Sequence, residues 1–363
     1  MVQPSSARNL PRQISPQGSF KMPKFKLPQN RLPLYAAASI LFIVLVVVIL
    51  GRLRNQPAEV QPNALWVGTE WTYGLQATRS NEAFIRRLRE NQIGTLYAWV
   101  SWLKPDRTWG GRRDMNNTFV EVEDDVKLFV EDMRSLYPDL ELYGWVSVPV
   151  GTGGHSLADV EVRQAVADFS SRVITEFGFD GIFLNIEPIW NGDQDFLALI
   201  RTVRQAVGTE VPISVAAPPD WSPIDAEIPV PPLIVPGTGW EEDYKQSVGL
   251  LVEQIALMAY NSGLSSPADY AEWMAYQVQT FAEAVAALGG GTELLIGIPT
   301  YEAELPGHDP LVENVQSAVQ GIVSGLELAG EAAPVVRGLA IYAEWTTDEA
   351  EWLDFTNAWV RSN

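Results

Sequence analysis

The stretch FDGIFLNIEP, residues 179–188, carries the strongest structural signal in the chain. Its side chains form two alternating sets, which is the two-residue period of a β-strand. One set is Ile182, Leu184 and Ile186, and the other is Phe183, Asn185 and Glu187. We predict a strand whose wholly apolar set packs against helices, while the second set points to the opposite side and ends in an amide and a carboxylate.

Seven more apolar runs flank this one, and amphipathic stretches with apolar residues three and four positions apart separate them. The eight runs begin at Ala64, Ile93, Leu140, Gly181, Pro212, Gln254, Leu294 and Gly338. Eight strand–helix units in a domain of this length predict a closed α/β structure, a (β/α)8 TIM barrel over residues 64–363. An open, doubly wound parallel sheet is the alternative. In the barrel, residues 183, 185 and 187 point inward.

An uncharged apolar stretch precedes the barrel and predicts a transmembrane helix over residues 32–51, because about 20 apolar residues cross a bilayer. A cleaved signal peptide and a buried soluble helix are the alternatives. Residues 1–31 form a basic tail, and residues 52–63 a linker. Since the tail carries more basic residues than the segment after the helix, we expect a cytoplasmic N-terminus. The prediction is a single-pass plasma-membrane protein with an extracytoplasmic barrel.

Composition narrows the classes of partner. Of 363 residues, 47% are hydrophobic and 19% charged, which is typical of a globular protein. No acidic residue precedes Glu59, whereas eight basic residues do, so the remaining 17 basic and 45 acidic residues give a formal charge of −28. Such a surface repels nucleic acid. With no cysteine and two histidines, the chain offers neither a thiolate nor an imidazole cluster, and we expect no metal and no organic cofactor.

Tryptophan is concentrated at or just beyond the predicted strand ends, where the ligands of a barrel bind. Planar rings stack on the C–H faces of sugars, so these positions predict a site for a carbohydrate polymer or glycan. Core filling is the alternative, and we expect it of Trp145. The residues expected to contact substrate are Trp71, Trp99, Trp102, Trp190, Trp221 and Trp345.

The segment DGIFLNIE, from Asp180 to Glu187, resembles the DGxDxDxE signature of glycoside hydrolase family 18, and its Asn form is closer to the family 85 endo-β-N-acetylglucosaminidases. MAYN, from Met258, is similar to the family 18 MxYD motif, and LLIGIPTY, from Leu294, to its strand-seven GxPxY segment. Five features depart from the family 18 pattern. In the strand-four motif, Phe183 replaces the middle aspartate and Asn185 replaces the last one. SVPVGTGG lacks the SxGG motif, Tyr342 replaces a tryptophan, and Asn261 replaces the aspartate of MxYD.

The resemblance implies substrate-assisted hydrolysis, in which the 2-acetamido oxygen of the sugar attacks its own anomeric carbon. Glu187 would be the acid/base, Asn185 would orient the acetamido N–H, and Tyr260 would hold the carbonyl end. Asn261 is expected to bind substrate. Asp180 lies on the other strand face and is expected to have a structural or indirect supporting role.

Other functions stay open at this point. A retaining glycosidase would need a second carboxylate about 5 Å from Glu187, and the candidates are Glu302, Glu344 and Glu70. A catalytically silent glycan-binding barrel would also carry replaced aspartates. A scaffold domain would bind no glycan at all.

Overall fold

The computed structural model describes residues 62–74, 78–111, 118–222, 227–232, 234, 237–302 and 306–362. None of the helices in these ranges is long and apolar enough to cross a membrane. The predicted basic tail and membrane helix, and all but the last two residues of the predicted linker, lie outside the described residues.

Eight parallel strands form a closed barrel, in which each strand pairs with the next along the chain and the eighth pairs with the first. The strands are β1 (Asn63–Val67), β2 (Ile93–Trp102), β3 (Glu141–Pro149), β4 (Gly181–Glu187), β5 (Ile213–Ala217), β6 (Gln254–Leu257), β7 (Glu293–Pro299) and β8 (Val336–Tyr342). All eight coincide with the predicted apolar runs. The predicted (β/α)8 barrel is confirmed, and the alternative prediction, an open doubly wound sheet, is wrong.

Helices occupy the connections between consecutive strands, and one follows the last strand. They are α1 (Thr69–Thr72), α2 (Thr78–Glu90), α3 (Glu123–Leu136), α4 (Val160–Thr175), α5 (Gln194–Val207), α6 (Glu242–Gly249), α7 (Pro267–Ala286), α8 (Val315–Ala329) and α9 (Glu349–Phe355). Short polar side chains fix several helix starts. Asn314 and Asp348 form capping boxes at α8 and α9, which satisfy backbone N–H groups that the first turn leaves free.

The apolar core has two layers, separated by the barrel wall. The outer layer packs strands against helices and contains Ile182, Leu184 and Ile186, as the alternation in β4 predicted. The inner layer fills the barrel and contains Phe183. Strand alternation therefore sends the side chains of β4 to the predicted sides.

The inner layer is unevenly filled. Its buried aromatic side chains come from β1 to β4 and are Trp66, Tyr97, Tyr143, Trp145 and Phe183. Among the described residues, β5 and β6 add only Ala216 and Ala256, whereas β8 adds Ala340 and the partly buried ring of Tyr342. Large rings fill one half of the barrel and methyl groups line much of the other. Space is therefore left beside β5 and β6, next to the end of β4.

Candidate active site

Glu187 is the last residue of β4 and lies at the C-terminal mouth of the barrel, where Pro149 of β3 is its neighbour in register. Asn185, two residues earlier on the same strand face, lies beside Ser147. The Asn185 amide nitrogen donates to Oε2 of Glu187 at 3.0 Å and lies 3.5 Å from the Ser147 hydroxyl. With its N–H groups engaged in this way, the Asn185 carbonyl oxygen can accept a hydrogen bond from a ligand.

The environment of Glu187 favours a protonated carboxyl. Although the side chain reaches solvent, it lies in a recess where protein atoms replace part of its hydration shell. This burial raises the pKa of Glu187 above its ordinary value, and the hydrogen bond from Asn185 offsets part of the increase. A carboxyl with a raised pKa is suited to donate a proton to a leaving group.

A cavity of about 220 Å³ opens beside Glu187, between the ends of β4, β5 and β6. Its lining residues are Ile186, Glu187, Pro188, Ile189, Ala216, Pro218, Pro219, Ile234, Thr238, Met258, Tyr260 and Asn261. The alanine of β5 leaves this space open. The cavity brings together three residues predicted for the site: Glu187, Tyr260 and Asn261. Within the described chain, Glu187 is its only carboxylate.

Tyr260 follows β6 and is held by aromatic packing. Its ring stacks on Tyr342, with centroids 5.1 Å apart and planes 16° apart. Burial raises the pKa of Tyr260 well above its ordinary value, and the neighbouring tyrosines and Glu187 add to the increase. The phenol therefore keeps its proton and can donate a hydrogen bond. Gly297 of β7 permits this packing, since a Cβ there would lie 2.5 Å from the Leu257 carbonyl oxygen and 3.1 Å from the Tyr260 ring.

A buried carboxylate that sequence reasoning missed, Glu313, holds the loop after β6. Its side chain is 0% exposed. It accepts hydrogen bonds from the backbone N–H of Asn261 at 2.8 Å, from that of Ser262 at 2.7 Å, and from the Ser262 hydroxyl. These bonds fix Asn261 with φ at 58°, in the left-handed region that few residues other than glycine adopt. Glu313 thus determines where Asn261 meets the cavity.

Two further buried side chains complete this network. The Tyr301 hydroxyl donates to the Asn261 side-chain oxygen, so that oxygen is already engaged. Nε2 of His308 lies 2.8 Å from the Tyr301 carbonyl oxygen, and Nδ1 lies 3.3 Å from Oε2 of Glu313. Both ring nitrogens therefore face acceptors. Nothing in the sequence around Glu313 distinguishes it from a solvated loop acid, because the backbone groups that it binds, at Asn261 and Ser262, lie 52 and 51 residues away.

The predicted tryptophans separate into groups. Trp99 and Trp345 are partly buried near the barrel mouth, where Trp99 contacts Trp145 edge to face and Trp345 contacts Tyr342 in the same way. Trp190 is 48% exposed and lines a second recess, of about 270 Å³, which shares Pro188 with the cavity at Glu187.

The other three tryptophans do not line the cavity at Glu187 in the described part of the chain. Trp71 stacks on Phe84 of α2 at 4.1 Å and hydrogen-bonds Glu344. Trp102 packs over Gly110, where an added Cβ would lie 2.3 Å from the indole nitrogen. Trp221 lines a different cavity, between α6 and α7. Strand-end position alone did not separate these roles, because loop packing decides which way each ring turns.

The alternative nucleophiles also lie elsewhere. Glu302 lies close to Asp348, at the start of α9. Glu344 is tied to Trp71, and Glu70 lies close to Glu344. Among the described residues, none of the three lines the cavity at Glu187.

Asp180 precedes β4 and therefore lies at the opposite end of that strand from Glu187. Its carboxylate accepts from the Leu142 backbone N–H at 2.9 Å and pairs with Arg134 of α3 at 2.6 Å. These contacts tie the start of β4 to its neighbours. Across the described part of the chain, no cluster of three or more His, Asp or Glu side chains could hold a metal ion.

Comparison with known proteins places this barrel among solved structures of similar fold. No protein-family model matches the chain, and no curated protein sequence matches it. A class V chitinase from Pseudomonas fluorescens Pf-5 aligns with a TM-score of 0.53 at 13% identity, over 82% of this chain and 98% of that one. The spore cortex-lytic enzyme SleL of Bacillus cereus aligns with a TM-score of 0.51 at 10% identity, over 82% and 74%. A chitinase from Chromobacterium violaceum ATCC 12472 aligns with a TM-score of 0.50 at 16% identity, over 82% and 98%.

At these identities the similarity shows the barrel fold alone. The comparisons give no support to a closer relation with family 85.

Proposed function

We propose that this chain is a glycoside hydrolase that cleaves β-linked N-acetylglucosamine-containing glycans by substrate-assisted catalysis, with Glu187 as the acid/base. The observation that carries the proposal is a single carboxylate, with a raised pKa, at a cavity that also contains Tyr260 and adjoins Asn185. A mechanism with one protein carboxylate needs a nucleophile from the substrate, and the 2-acetamido group supplies one.

Glu187 would protonate the glycosidic oxygen while the acetamido oxygen attacks the anomeric carbon from the opposite side of the ring. The bond to the leaving group breaks, and an oxazolinium ion forms that keeps the acetamido proton on its nitrogen. Glu187, now a carboxylate, would take a proton from the water that opens this ring. Asn185 would support both steps of the reaction. Its amide nitrogen donates to Glu187, and its carbonyl oxygen would accept the acetamido N–H. The phenol of Tyr260 would donate to the acetamido carbonyl.

The retaining alternative requires a second carboxylate about 5 Å from the acid. Glu302, Glu344 and Glu70 do not line the cavity at Glu187 in the described part of the chain, and this favours the substrate-assisted route.

We also propose that the barrel is extracytoplasmic and tethered to the plasma membrane. The support is the sequence alone, through the basic tail and the uncharged segment 32–51. A reporter fused after Asn363 should be active only if it is a type that works when exported. Activity of a cytoplasm-only reporter would overturn this orientation.

The test of the catalytic proposal compares two matched aryl glycosides, one with a 2-acetamido group and one with a 2-hydroxyl. Only the first can form the five-membered ring, so only the first should be cleaved. Glu187→Gln should lower turnover on a poor leaving group by a factor of about 100 or more, while Glu302→Gln should change it little.

Three results would contradict this reading. Cleavage of the 2-hydroxyl glycoside at a similar rate would indicate a protein nucleophile. Full activity of Glu187→Gln would remove the acid assignment. Cleavage of neither sugar by a folded chain would favour a glycan-binding barrel without activity.

A further inference from the structure

A second cavity, of about 400 Å³, lies on the flank of the barrel between the β5–α6 connection, α6 and α7. We call it the flank cavity, defined by Asp220, Trp221, Glu241, Lys245, Tyr276 and Glu283. Its volume falls in the range of about 300–1,000 Å³ that is typical of small-ligand sites. The mechanism proposed above uses none of these residues.

The floor of the flank cavity is a buried ion pair. The side chains of Lys245 and Asp220 are 5% and 7% exposed and contact each other directly. The Thr280 hydroxyl donates to the same carboxylate at 2.7 Å, and the Lys245 ammonium lies 4.3 Å from the Phe281 ring centroid. Because these charges satisfy one another, the floor is polar but carries no net charge toward a ligand.

The backbone before Trp221 is clamped to α7. Gln277, which is buried, accepts from the Asp220 N–H at 2.6 Å and donates to the Asp220 carbonyl oxygen at 3.1 Å. The two bonds hold the peptide as a paired strand would. Trp221 follows a fixed residue, and a flat ring presented from a rigid backbone loses little conformational entropy when it binds.

The walls and rim indicate the chemistry of a ligand. Trp221 and Tyr276 are partly exposed and supply aromatic surface, while Glu241 and Glu283 are exposed at the rim. Aromatic rings beside hydrogen-bonding oxygens suit a sugar, which has apolar C–H faces and polar hydroxyl edges. The acidic rim repels phosphate, sulfate and carboxylate groups. A neutral or amine-bearing sugar ring meets both conditions.

One short segment separates the flank cavity from the cavity at Glu187. Pro218 and Pro219 line the cavity at Glu187, whereas the next two residues, Asp220 and Trp221, line the flank cavity. The segment just before α6 is divided in the same way, since Thr238 lines the cavity at Glu187 and Gly239 lines the flank cavity. A chain of sugars that leaves Glu187 over this wall would meet Trp221.

From this arrangement we infer that the flank cavity is a second glycan-binding site, in which Trp221 stacks on a sugar ring and holds a polymeric substrate whose cleaved bond lies at Glu187. The site itself follows from the flank cavity, and only its link to cleavage rests on the proposed function.

The experiment uses the full chain in detergent, with Glu187→Gln to prevent cleavage and with 5-fluorotryptophan in place of tryptophan. The fluorine resonance of Trp221 is assigned by its absence from Trp221→Phe. The probes are the N-acetylglucosamine tetramer and the glucosamine tetramer, which separate neutral from amine-bearing sugars. We expect the Trp221 resonance to shift and saturate with at least one of them.

Two surface variants of α7 provide a matched pair. Glu283→Ala removes a rim acceptor and should weaken the titration followed at Trp221 about threefold to tenfold. Glu272→Ala removes an exposed carboxylate of the same helix that does not line the flank cavity, and should leave the titration unchanged. Neither replacement touches the buried floor, so both variants should fold.

The outcomes separate this inference from the proposed function. A Trp221 resonance that neither sugar shifts, or a titration weakened equally by both α7 variants, would overturn the second site even if Glu187 proves catalytic. A saturable shift that Glu283→Ala weakens would establish the site even if no glycoside is cleaved. If cleavage also occurs, Trp221→Ala should lower the rate on a long polymer about tenfold relative to the rate on a trisaccharide.

Discussion

Replacement of Glu313 by alanine should destabilise the protein far more than replacement of an exposed ion-paired glutamate. The Glu313 side chain is fully buried and accepts from two backbone N–H groups and a hydroxyl, with His308 beside it. Alanine removes both carboxylate oxygens, and the N–H groups of Asn261 and Ser262 then lose the acceptor that Glu313 provides. Breaking a buried charged network in this way costs about 3–5 kcal/mol. That is a large part of the roughly 5–15 kcal/mol by which proteins are usually stable.

The matched control is Glu349→Ala. Glu349 forms an ion pair with Arg87, but its side chain is 83% exposed. Solvent screening limits such a pair to about 0–1 kcal/mol. Both variants remove one carboxylate, so the difference between them measures the effect of burial and of the buried hydrogen bonds.

The measurement is urea unfolding of the full chain in detergent, followed by the fluorescence of its 13 tryptophans. Glu313→Ala should lower the free energy of unfolding by about 3–5 kcal/mol and raise the KM for a cleaved glycoside, because Asn261 loses its fixed position. A loss below about 1 kcal/mol, indistinguishable from that of Glu349→Ala, would refute the idea that Glu313 organises this loop.

Three other predictions concern the site and the barrel interior. Since Glu187 must be protonated when the leaving group departs, activity should fall as pH rises through its pKa. Asn185→Ala removes the hydrogen bond that stabilises the carboxylate, so it should move this fall in activity to higher pH. An unchanged or lower alkaline limit in the pH profile of kcat/KM would contradict this. Phe183→Asp, which introduces the residue that the family 18 signature has at this position, should lower the free energy of unfolding in urea by at least about 3–5 kcal/mol, because Phe183 stacks on Tyr97 at 4.2 Å in the barrel core. A variant as stable as the parent chain and more active would contradict this. Gly297→Ala should raise KM by displacing the Tyr260 ring. Gly290→Ala lies at a turn with open space around its Cα but with φ at 114°, so it should lower stability through backbone strain and leave KM unchanged. Equal KM values for the two variants would contradict the proposed contact.

The N-terminal segment and the barrel were predicted from different kinds of pattern. The anchor prediction uses hydropathy over residues 32–51, which lie outside the described residues, and it stays a prediction. The barrel prediction uses the alternation of apolar runs and amphipathic stretches, and the eight strands confirm it. Periodicity succeeds here because each strand and helix must bury its own apolar face.

The sequence by itself determined that Glu187 ends the fourth strand and faces the barrel mouth, because a two-residue period and the end of an apolar run define both properties locally. Only the tertiary structure decided that Glu302, Glu344 and Glu70 lie elsewhere, and that Trp221 turns to the flank cavity. It alone revealed Glu313, whose hydrogen bonds to Asn261 and Ser262 join positions 52 and 51 residues apart. Contacts between loops depend on how eight strand–helix units close in space, and no periodicity along the chain records which loops then meet.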